Sequence, residues 1–171
     1  LLGHVMGLTR EQVLLRHQSS MDAPQMANLI GLARRRAAHE PIAYLTGARE
    51  FWGLSFDVTR DTLIPRPDSE TLIEAALRFA NRAALNSPRI LDLGTGSGCL
   101  LISLLTELPS AEGVGTDRRY AALAVARRNA SRHGVSARAH FAAGSWGQAV
   151  AQHFDLIIAN PPYIAATARA G

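Results

Sequence analysis

The sequence predicts an α/β protein in which a sheet of about four parallel strands is preceded by a small helical bundle and a β-hairpin. The first observation is that short apolar segments alternate with helical segments from residue 88 onward, which is typical of a parallel sheet with right-handed crossovers. The second is that residues 1–40 contain two helix start signals. The third is that Gly53 separates two short segments rich in aromatic and β-branched residues, as in a hairpin.

Residues 1–47 are predicted to form a helical N-terminal domain. Thr9 is placed to cap a helix over residues 10–17, with Gln12 three residues further on. Asp22 precedes a second helix over residues 23–39, whose first turn holds a proline, where the missing N–H costs nothing. Pro41 ends that helix because the residue before a proline avoids helical backbone.

Residues 48–66 are predicted to form a β-hairpin linker, with strands over 49–52 and 54–59. The linker ends in the stretch Ile64-Pro65-Arg66-Pro67, which excludes a regular helix and a central strand. The hairpin is therefore expected to stop before this stretch.

Residues 67–171 are predicted to form the sheet domain. Asp68 or Ser69 begins its first helix, which ends near residue 82. The strands are expected over residues 89–93, 111–116, 137–142 and 154–159, and the helices between them over residues 98–108 and 119–133.

The composition excludes several protein classes. With 47% hydrophobic and 19% charged residues among 171, the chain can bury a core. All 18 basic residues are arginine, which excludes Walker A, protein-kinase and pyridoxal-phosphate sites that need a lysine. Genome base composition accounts for the use of arginine in place of lysine. The net charge of +4 would suit a nucleic-acid surface, but the arginines are spread too widely to favour this alternative.

The single cysteine, Cys99, excludes an internal disulfide and a cysteine-rich metal site, which leads us to expect a reducing, cytoplasmic location. Cys99 opens a predicted helix, where its thiol either packs or becomes more acidic. The 6 histidines show no metal-ligand spacing, so no metal is expected. No apolar run approaches the roughly 18 residues of a membrane span, and residues 1–7 are too short for a signal peptide.

A glycine-rich loop follows the first strand of the sheet. Gly94, Gly96 and Gly98 come after Asp92, at the carboxyl end of a strand, where open α/β sheets bind ligands. A dinucleotide fingerprint needs a glycine where Cys99 stands, so this spacing favours another ligand. The spacing is similar to the first motif of S-adenosylmethionine methyltransferases, and a nearby carboxylate suits the sulfonium and ammonium cations of that cofactor. The alternative is a tight turn that binds nothing.

Asp117 ends the second predicted strand of the sheet. An acid at this position is placed to accept hydrogen bonds from both ribose hydroxyls of a nucleoside on the neighbouring glycine loop. The alternative is that Asp117 caps the helix predicted over residues 119–133. Both roles stay open at this point.

The last predicted strand runs into Asn160-Pro161-Pro162-Tyr163. The prolines fix an extended backbone that aims the carbonyl of Pro161, and the Asn160 side chain offers an acceptor beside it. Together they are predicted to hold both hydrogens of a planar NH2 group, on which Tyr163 stacks. Such a clamp directs the nitrogen lone pair at a methyl–sulfonium carbon without a general base or a metal. The alternative is a purely structural turn.

Together these motifs resemble the HemK/PrmC family, the protein-(glutamine-N5) methyltransferases that modify peptide chain release factors. The resemblance covers nearly the whole chain. The Ile64-Pro65-Arg66-Pro67 stretch is its specific part, because general amino-methyltransferases share only the glycine loop and the Asn-Pro-Pro-Tyr motif. A sister group that methylates a ribosomal protein differs just after Pro65-Arg66, so the release-factor branch fits better. The stretches that carry the resemblance are residues 40–47, 50–54, 63–70, 92–98, 116–117, 124, 127, 129 and 160–163.

The resemblance implies a Rossmann-like methyltransferase sheet for residues 67–171, a substrate-binding role for residues 1–47, and the glutamine of a Gly-Gly-Gln loop as substrate. The cofactor-binding residues it implies are Asp92, Gly94, Thr95, Gly96, Gly98, Asp117, Ser145, Trp146 and Asn160. The substrate-binding residues it implies are Arg66, Asn160, Pro161, Pro162 and Tyr163, of which Asn160, Pro161 and Tyr163 act in the transfer. Many relatives carry an aspartate where Ser145 stands, so Trp146 is expected to compensate by packing on the adenine.

Family members extend beyond both ends of this chain, so we expect it to be a fragment that lacks later strands of the sheet. Release factors are the expected partners. Neither a membrane nor a nucleic acid is expected as a partner. Two alternatives are kept. One is a nucleic-acid amino-methyltransferase that acts on adenine N6 or guanine N2, and the other is an inactive fragment that binds S-adenosylmethionine.

Overall fold

A computed structural model of the protein describes residues 1–15, 20–145 and 152–161. The chain divides into two compact units, Leu1–Ala48 and Arg49–Gly171. The first unit is helical, and the second contains most of the hairpin and the whole parallel sheet. Across the described ranges, no helix is both long enough and apolar enough to cross a membrane.

Capping side chains start the second and third helices of the first unit, as the sequence predicts. The Thr9 hydroxyl accepts the backbone N–H of Gln12 at 3.2 Å, and the Gln12 side chain returns a bond to the Thr9 N–H at 2.9 Å. Asp22 and Gln25 make the same reciprocal pair, at 2.7 and 3.1 Å, which is a capping box. The helices are α1 (Leu2–Met6), α2 (Arg10–Leu15), α3 (Ala23–Ala37) and α4 (Ile42–Thr46).

Helix α3 ends at Ala37 rather than at residue 39. The chain leaves the helix because His39 takes a left-handed φ of 65°. The Arg35 guanidinium then holds both carboxylate oxygens of Glu40, at 2.8 and 2.7 Å, which fixes the direction in which the chain continues.

Helix α4 was not predicted, because Pro41 was expected only to end the preceding helix. That helix already ends at Ala37, and Pro41 is instead the residue from which α4 starts. Its carbonyl accepts the backbone N–H of Leu45 at 3.2 Å, and its fixed φ of −58° suits a helix start. Gly47 ends α4 with a left-handed φ of 72°.

A two-stranded hairpin follows, formed by β1 (Ala48–Phe51) and β2 (Leu54–Asp57). The turn residues Trp52 and Gly53 both have positive φ, 53° and 67°, which matches the twist of a tight hairpin. The predicted strands over 49–52 and 54–59 are therefore wrong at their ends, because Trp52 belongs to the turn and β2 stops at residue 57.

Two glutamates hold the turn residue Trp52 in its left-handed conformation. The Trp52 backbone N–H donates to the Glu70 carboxylate at 2.9 Å, and its indole N–H donates to Glu107 at 2.8 Å. A bulky residue with positive φ is strained, so these bonds offset a local cost.

Four parallel strands form the sheet of the second unit, as predicted. They are β3 (Arg89–Leu93), β4 (Glu112–Asp117), β5 (Ala139–Ala143) and β6 (Leu156–Ala159). Their order is β5-β4-β3-β6, and each neighbouring pair is parallel. The strands β4, β5 and β6 start later than predicted. Before β4 and β5, turn bonds occupy the preceding residues, such as the bond from the Ala111 N–H to the Leu108 carbonyl.

Three helices accompany the sheet. They are α5 (Glu70–Arg82), which follows a 3₁₀ turn over Pro67–Ser69, α6 (Cys99–Glu107) and α7 (Tyr120–Arg132). Ile90 and Ile158 of the sheet and Leu101 and Leu105 of α6 are buried together in the core. The contact between α6 and β4 is close, since a Cβ on Gly113 would lie 2.3 Å from Cδ1 of Leu101.

Candidate active site

The candidate site lies where the strand order of the sheet reverses. β3 comes first along the chain, β4 lies on one side of it and β6 on the other. The register places Leu93 opposite both Thr116 and Ala159, so the carboxyl ends of the three strands meet. Open α/β sheets bind ligands in the crevice at such a reversal. The glycine loop, Asp117 and Asn160 all follow these strand ends.

Three consecutive backbone N–H groups of the glycine loop are engaged within the protein. Gly94 and Thr95 both donate to the Thr116 carbonyl at 2.8 Å, and Gly96 donates to Oδ2 of Asp117 at 3.0 Å. A loop that binds phosphate leaves these groups free to point at its ligand. This loop is therefore poorly suited to a pyrophosphate, in agreement with the glycine spacing.

Asp92 is a buried carboxylate beneath the loop, with an exposed fraction of 1%. Its Oδ2 accepts the Thr95 hydroxyl at 2.7 Å. Gly115 makes this pair possible, because a Cβ there would lie 2.8 Å from Oγ1 of Thr95. Burial raises the pKa of Asp92 to about 6, with a further contribution from the charge of Asp117, while the Thr95 hydroxyl opposes the shift. A cation bound nearby would stabilise the ionised form.

Asp117 ties the second strand end to the glycine loop. One carboxylate oxygen accepts the Gly96 N–H, and the other accepts the Arg119 N–H at 2.9 Å. The alternative that Asp117 caps the following helix is wrong, because α7 begins after Arg119, where no side-chain capping bond is made. Each carboxylate oxygen keeps a further lone pair with which it can accept a ligand hydroxyl.

The end of the third strand lies beside Asp117. The Gly144 N–H donates to the Asp117 carbonyl at 3.1 Å, and the half-buried Ser145 follows directly. The structure therefore brings Ser145 to the same edge as Asp117 and the glycine loop. The predicted roles of Trp146, Pro162 and Tyr163 fall on residues outside the described ranges.

Asn160 and Pro161 line a cleft of about 430 Å³. The Asn160 side-chain N–H donates to Oγ of Ser69 at 2.8 Å. Arg66 and Ser69 line the same cleft, so the structure brings the Pro-Arg-Pro stretch and the Asn-Pro-Pro motif together. Among the described residues, no hydrogen bond engages Oδ1 of Asn160, which leaves this acceptor available to a ligand.

Two family profiles match the chain. The methyltransferase small domain matches residues 69–170, and the PrmC N-terminal domain matches residues 1–47. This chain belongs to the methyltransferase small domain family. The order of the two matches also confirms the resemblance to the HemK/PrmC family. The matched range of the methyltransferase small domain contains the glycine loop, Asp117 and Asn160.

Curated relatives are similar over nearly all of this chain. The release factor glutamine methyltransferase of Burkholderia pseudomallei is 47% identical over 171 residues, which is 96% of this chain and 59% of that protein. The release factor glutamine methyltransferase of Rhodospirillum rubrum is 46% identical over 164 residues, 96% of this chain and 50% of that protein. The chain thus spans between half and three-fifths of these two relatives.

A solved structure shows the same fold as the methyltransferase small domain. The N-terminal domain of human METTL16 in complex with SAH matches with a TM-score of 0.54 and 20% identity, over 67% of this chain and 49% of that chain. At this identity the match supports the Rossmann-like α/β fold alone.

Two residues of the methyltransferase small domain contribute to the site in ways that we did not predict. Ser69 was expected only as a possible helix start, but its side chain makes no capping bond and pairs with Asn160 instead. Asn129 of α7 is fully buried and donates to the Ser97 carbonyl at 2.8 Å. It also exchanges bonds with the Asp57 backbone at 2.8 and 3.0 Å, which joins the glycine loop to the hairpin.

The sequence contains a signal for the role of Asn129 but none for the pairing of Ser69. Asn129 lies on the same face of α7 as the buried residues Ala122 and Val125, and a polar residue on an apolar helix face is a signal in the sequence. Ser69 belongs to the stretch that resembles the family, but its partner lies 91 residues away. No local pattern predicts such a pairing.

The Cys99 thiol of the methyltransferase small domain is not acidic. Burial raises the pKa of the Cys99 thiol to about 12, so the alternative of an acidic, reactive thiol is wrong. No group of His, Cys, Asp or Glu side chains suited to a metal ion occurs within residues 1–15, 20–145 and 152–161.

Proposed function

We propose that the chain carries the cofactor site and the amide clamp of an S-adenosylmethionine-dependent protein methyltransferase. Its substrate is the side-chain amide nitrogen of the glutamine in the Gly-Gly-Gln motif of peptide chain release factors. The names of the curated relatives support this substrate, since each of the two described above is a release factor glutamine methyltransferase. Because a release factor acts in translation, we also propose that the protein works in the cytoplasm.

The hydrogen bonding of the glycine loop carries the cofactor assignment. With the N–H groups of Gly94, Thr95 and Gly96 engaged internally, the loop offers little to a phosphate. The carboxylates of Asp92 and Asp117 make the same region negative, which suits a ligand with an ammonium and a sulfonium group. The residues present therefore fit S-adenosylmethionine, which when bound supplies an electrophilic methyl group.

Each acid has a proposed role toward the cofactor. Asp117 accepts the ribose hydroxyls while its bond to Gly96 holds the carboxylate in place. Asp92 stabilises the cationic part of the ligand by its charge, because its burial leaves the carboxylate poorly solvated. Ser145 offers a neutral hydrogen bond to the adenine from the neighbouring strand end.

The clamp acts on the glutamine amide. Oδ1 of Asn160 and the carbonyl of Pro161 accept the two N–H bonds of the substrate NH2 group. An amide nitrogen is a poor nucleophile since its lone pair is delocalised, and holding both hydrogens directs that lone pair at the methyl group. The same acceptors stabilise the positive charge that develops on nitrogen. Arg66 borders the cleft, and Tyr163 is proposed to stack on the planar amide.

The proposal is tested first on the cofactor. Calorimetric titration of this chain with S-adenosylmethionine is expected to show binding, and Asp117→Ala is expected to weaken it about 10-fold by removing a charge-assisted acceptor. A variant that binds as well as the parent protein would show that Asp117 does not hold the ribose.

The substrate is tested by mass spectrometry of a release factor incubated with the protein and S-adenosylmethionine. A methyl group on the Gly-Gly-Gln glutamine is the expected product. Cofactor binding without this product, both in this chain and in a version extended to the length of its relatives, would refute the proposed substrate. In that case the chain would be a cofactor-binding fragment, or its methyl acceptor would be sought among nucleic acids.

A further inference from the structure

We propose that Ser69 is a positioning residue that sets the rotation of the Asn160 side-chain amide. In this role it keeps Oδ1 turned toward the cleft, where the substrate NH2 group is held. The inference rests on the proposed function and assigns a residue for which that function alone gives no role.

The first support is the contact itself. Nδ2 of Asn160 lies 2.8 Å from Oγ of Ser69, whose exposed fraction is 8%. A hydrogen bond that is shielded from water in this way restricts the rotation of the amide plane more than an exposed one.

The second support is that, within the part of the chain that the structure describes, the Ser69 hydroxyl makes no hydrogen bond other than the one to Asn160. Serine at a helix start normally caps the helix with its side chain, but Ser69 makes no such bond at the start of α5. The 3₁₀ turn is closed by backbone instead, through the bond from the Ser69 N–H to the Arg66 carbonyl at 3.0 Å. The hydroxyl is therefore left to Asn160.

The third support is chemical. A side-chain amide presents an acceptor at one end and a donor at the other, and only the acceptor can hold the N–H of a substrate amide. If the Asn160 amide were reversed, its NH2 group would face the substrate NH2 group, and two donors would oppose each other. In the orientation present, Ser69 accepts the N–H that points away from the substrate. Because a hydroxyl can also donate to an amide oxygen, Ser69 holds the plane of the amide, and the opposed donors at the substrate disfavour its reversal.

The contact also explains how the Pro-Arg-Pro stretch can influence Oδ1 of Asn160, although the two are distant in sequence. Arg66 and Pro67 form the turn that carries Ser69 to the end of β6, across a separation of 91 residues. The Pro-Arg-Pro stretch thus borders the cleft and, through Ser69, orients the acceptor within it.

The test uses the pair Ser69→Val and Ser69→Thr, whose side chains have nearly the same shape and differ in the hydroxyl. We expect Ser69→Val to lower kcat for release factor methylation about 10-fold, with the Kd for S-adenosylmethionine unchanged, because Asn160 loses its orienting acceptor. Ser69→Thr is expected to retain most of kcat. In the Asn160→Ala background, Ser69→Val is expected to have no further effect on kcat. A purely structural role would instead lower activity in both backgrounds.

A second measurement does not depend on activity. The side-chain NH2 signals of Asn160 can be assigned in a ¹⁵N spectrum of the protein by their loss in Asn160→Ala. We expect Ser69→Val to shift both signals and to speed their exchange with water, and Ser69→Thr to preserve them. Unchanged signals in Ser69→Val would overturn the inference. Failure of the unaltered protein to methylate a release factor would instead overturn the proposed function.

Discussion

The buried carboxylate of Asp92 makes the glycine loop sensitive to pH, and replacing it by asparagine should stabilise the protein. The carboxylate accepts the Thr95 hydroxyl at 2.7 Å. In Asp92→Asn the amide nitrogen can donate to the Thr95 hydroxyl oxygen instead. The substitution therefore removes the buried charge and keeps a hydrogen bond to Thr95.

The pKa of Asp92 sets the size of the effect. Burial raises this pKa from 3.8 to about 6. The folded protein therefore binds more protons than the unfolded chain between these two values, so its stability falls as the pH rises through this window. Above pH 6 the full cost is present, and the gap between the two pKa values corresponds to about 3 kcal/mol. We expect Asp92→Asn to raise the free energy of unfolding at pH 7 by about 1 to 3 kcal/mol.

Urea denaturation of both proteins at several pH values measures this difference directly. The advantage of Asp92→Asn should be largest at pH 7 and should shrink as the pH falls toward 4, because the parent carboxylate becomes protonated. An asparagine variant that is less stable at pH 7, or an advantage that does not change with pH, would refute the reasoning.

The same group couples pH to the proposed cofactor. If a cationic ligand binds only the ionised carboxylate, its affinity should fall about 10-fold for each pH unit below pH 6. Asp92→Asn should bind S-adenosylmethionine more weakly at pH 7 and lose this pH dependence. Stability and cofactor affinity would then change in opposite directions, as is common for strained functional sites.

Two further substitutions examine the clamp and the loop. Asn160→Ala is expected to lower methyl transfer roughly 100-fold with cofactor affinity retained, because it removes one acceptor that is used only at the reacting amide; an equal loss of cofactor affinity would show that the role is assigned wrongly. Gly98→Ala is expected to destabilise the protein by about 1 to 3 kcal/mol in thermal denaturation. The glycine has a φ of 81°, and an added Cβ would lie 2.9 Å from Cδ1 of Ile102 and 3.2 Å from Cβ of Ala126. Gly134→Ala is the matched control, since its φ is 70° but no atom lies within 4 Å of the added Cβ, and a loss as large as that of Gly98→Ala would contradict the packing argument.

The fold was largely predictable because its signals are local. Strand–helix alternation predicts the parallel sheet, and the pairs Thr9–Gln12 and Asp22–Gln25 fix two helix starts within three residues. The missed helix α4 shows the limit of such signals, since Pro41 was expected only to end a helix. Pro41 also starts the next helix, α4, but no side-chain capping pattern marks this start in the sequence.

The candidate site was predictable at the level of strand ends. In a parallel sheet the carboxyl ends lie at one edge, so the pattern alone brings the glycine loop, Asp117 and Asn160 together. The hydrogen bonds within that edge were not predictable. The burial of Asp92, the link through Asn129 and the pairing of Ser69 with Asn160 all depend on side chains that meet across elements.

These cross-element bonds also strengthen the cofactor argument beyond glycine spacing. Spacing excludes one dinucleotide pattern, but a loop with free N–H groups could still hold a phosphate. Here the Thr116 carbonyl and the Asp117 carboxylate consume three consecutive N–H groups, and the second of these acceptors adds negative charge. A phosphate would thus meet both a lack of donors and an unfavourable charge, whereas a cation gains from the same arrangement. The preference for a sulfonium nucleoside therefore depends on two acceptors of the neighbouring strand β4, the Thr116 carbonyl and the Asp117 carboxylate, which bind the N–H groups of the loop.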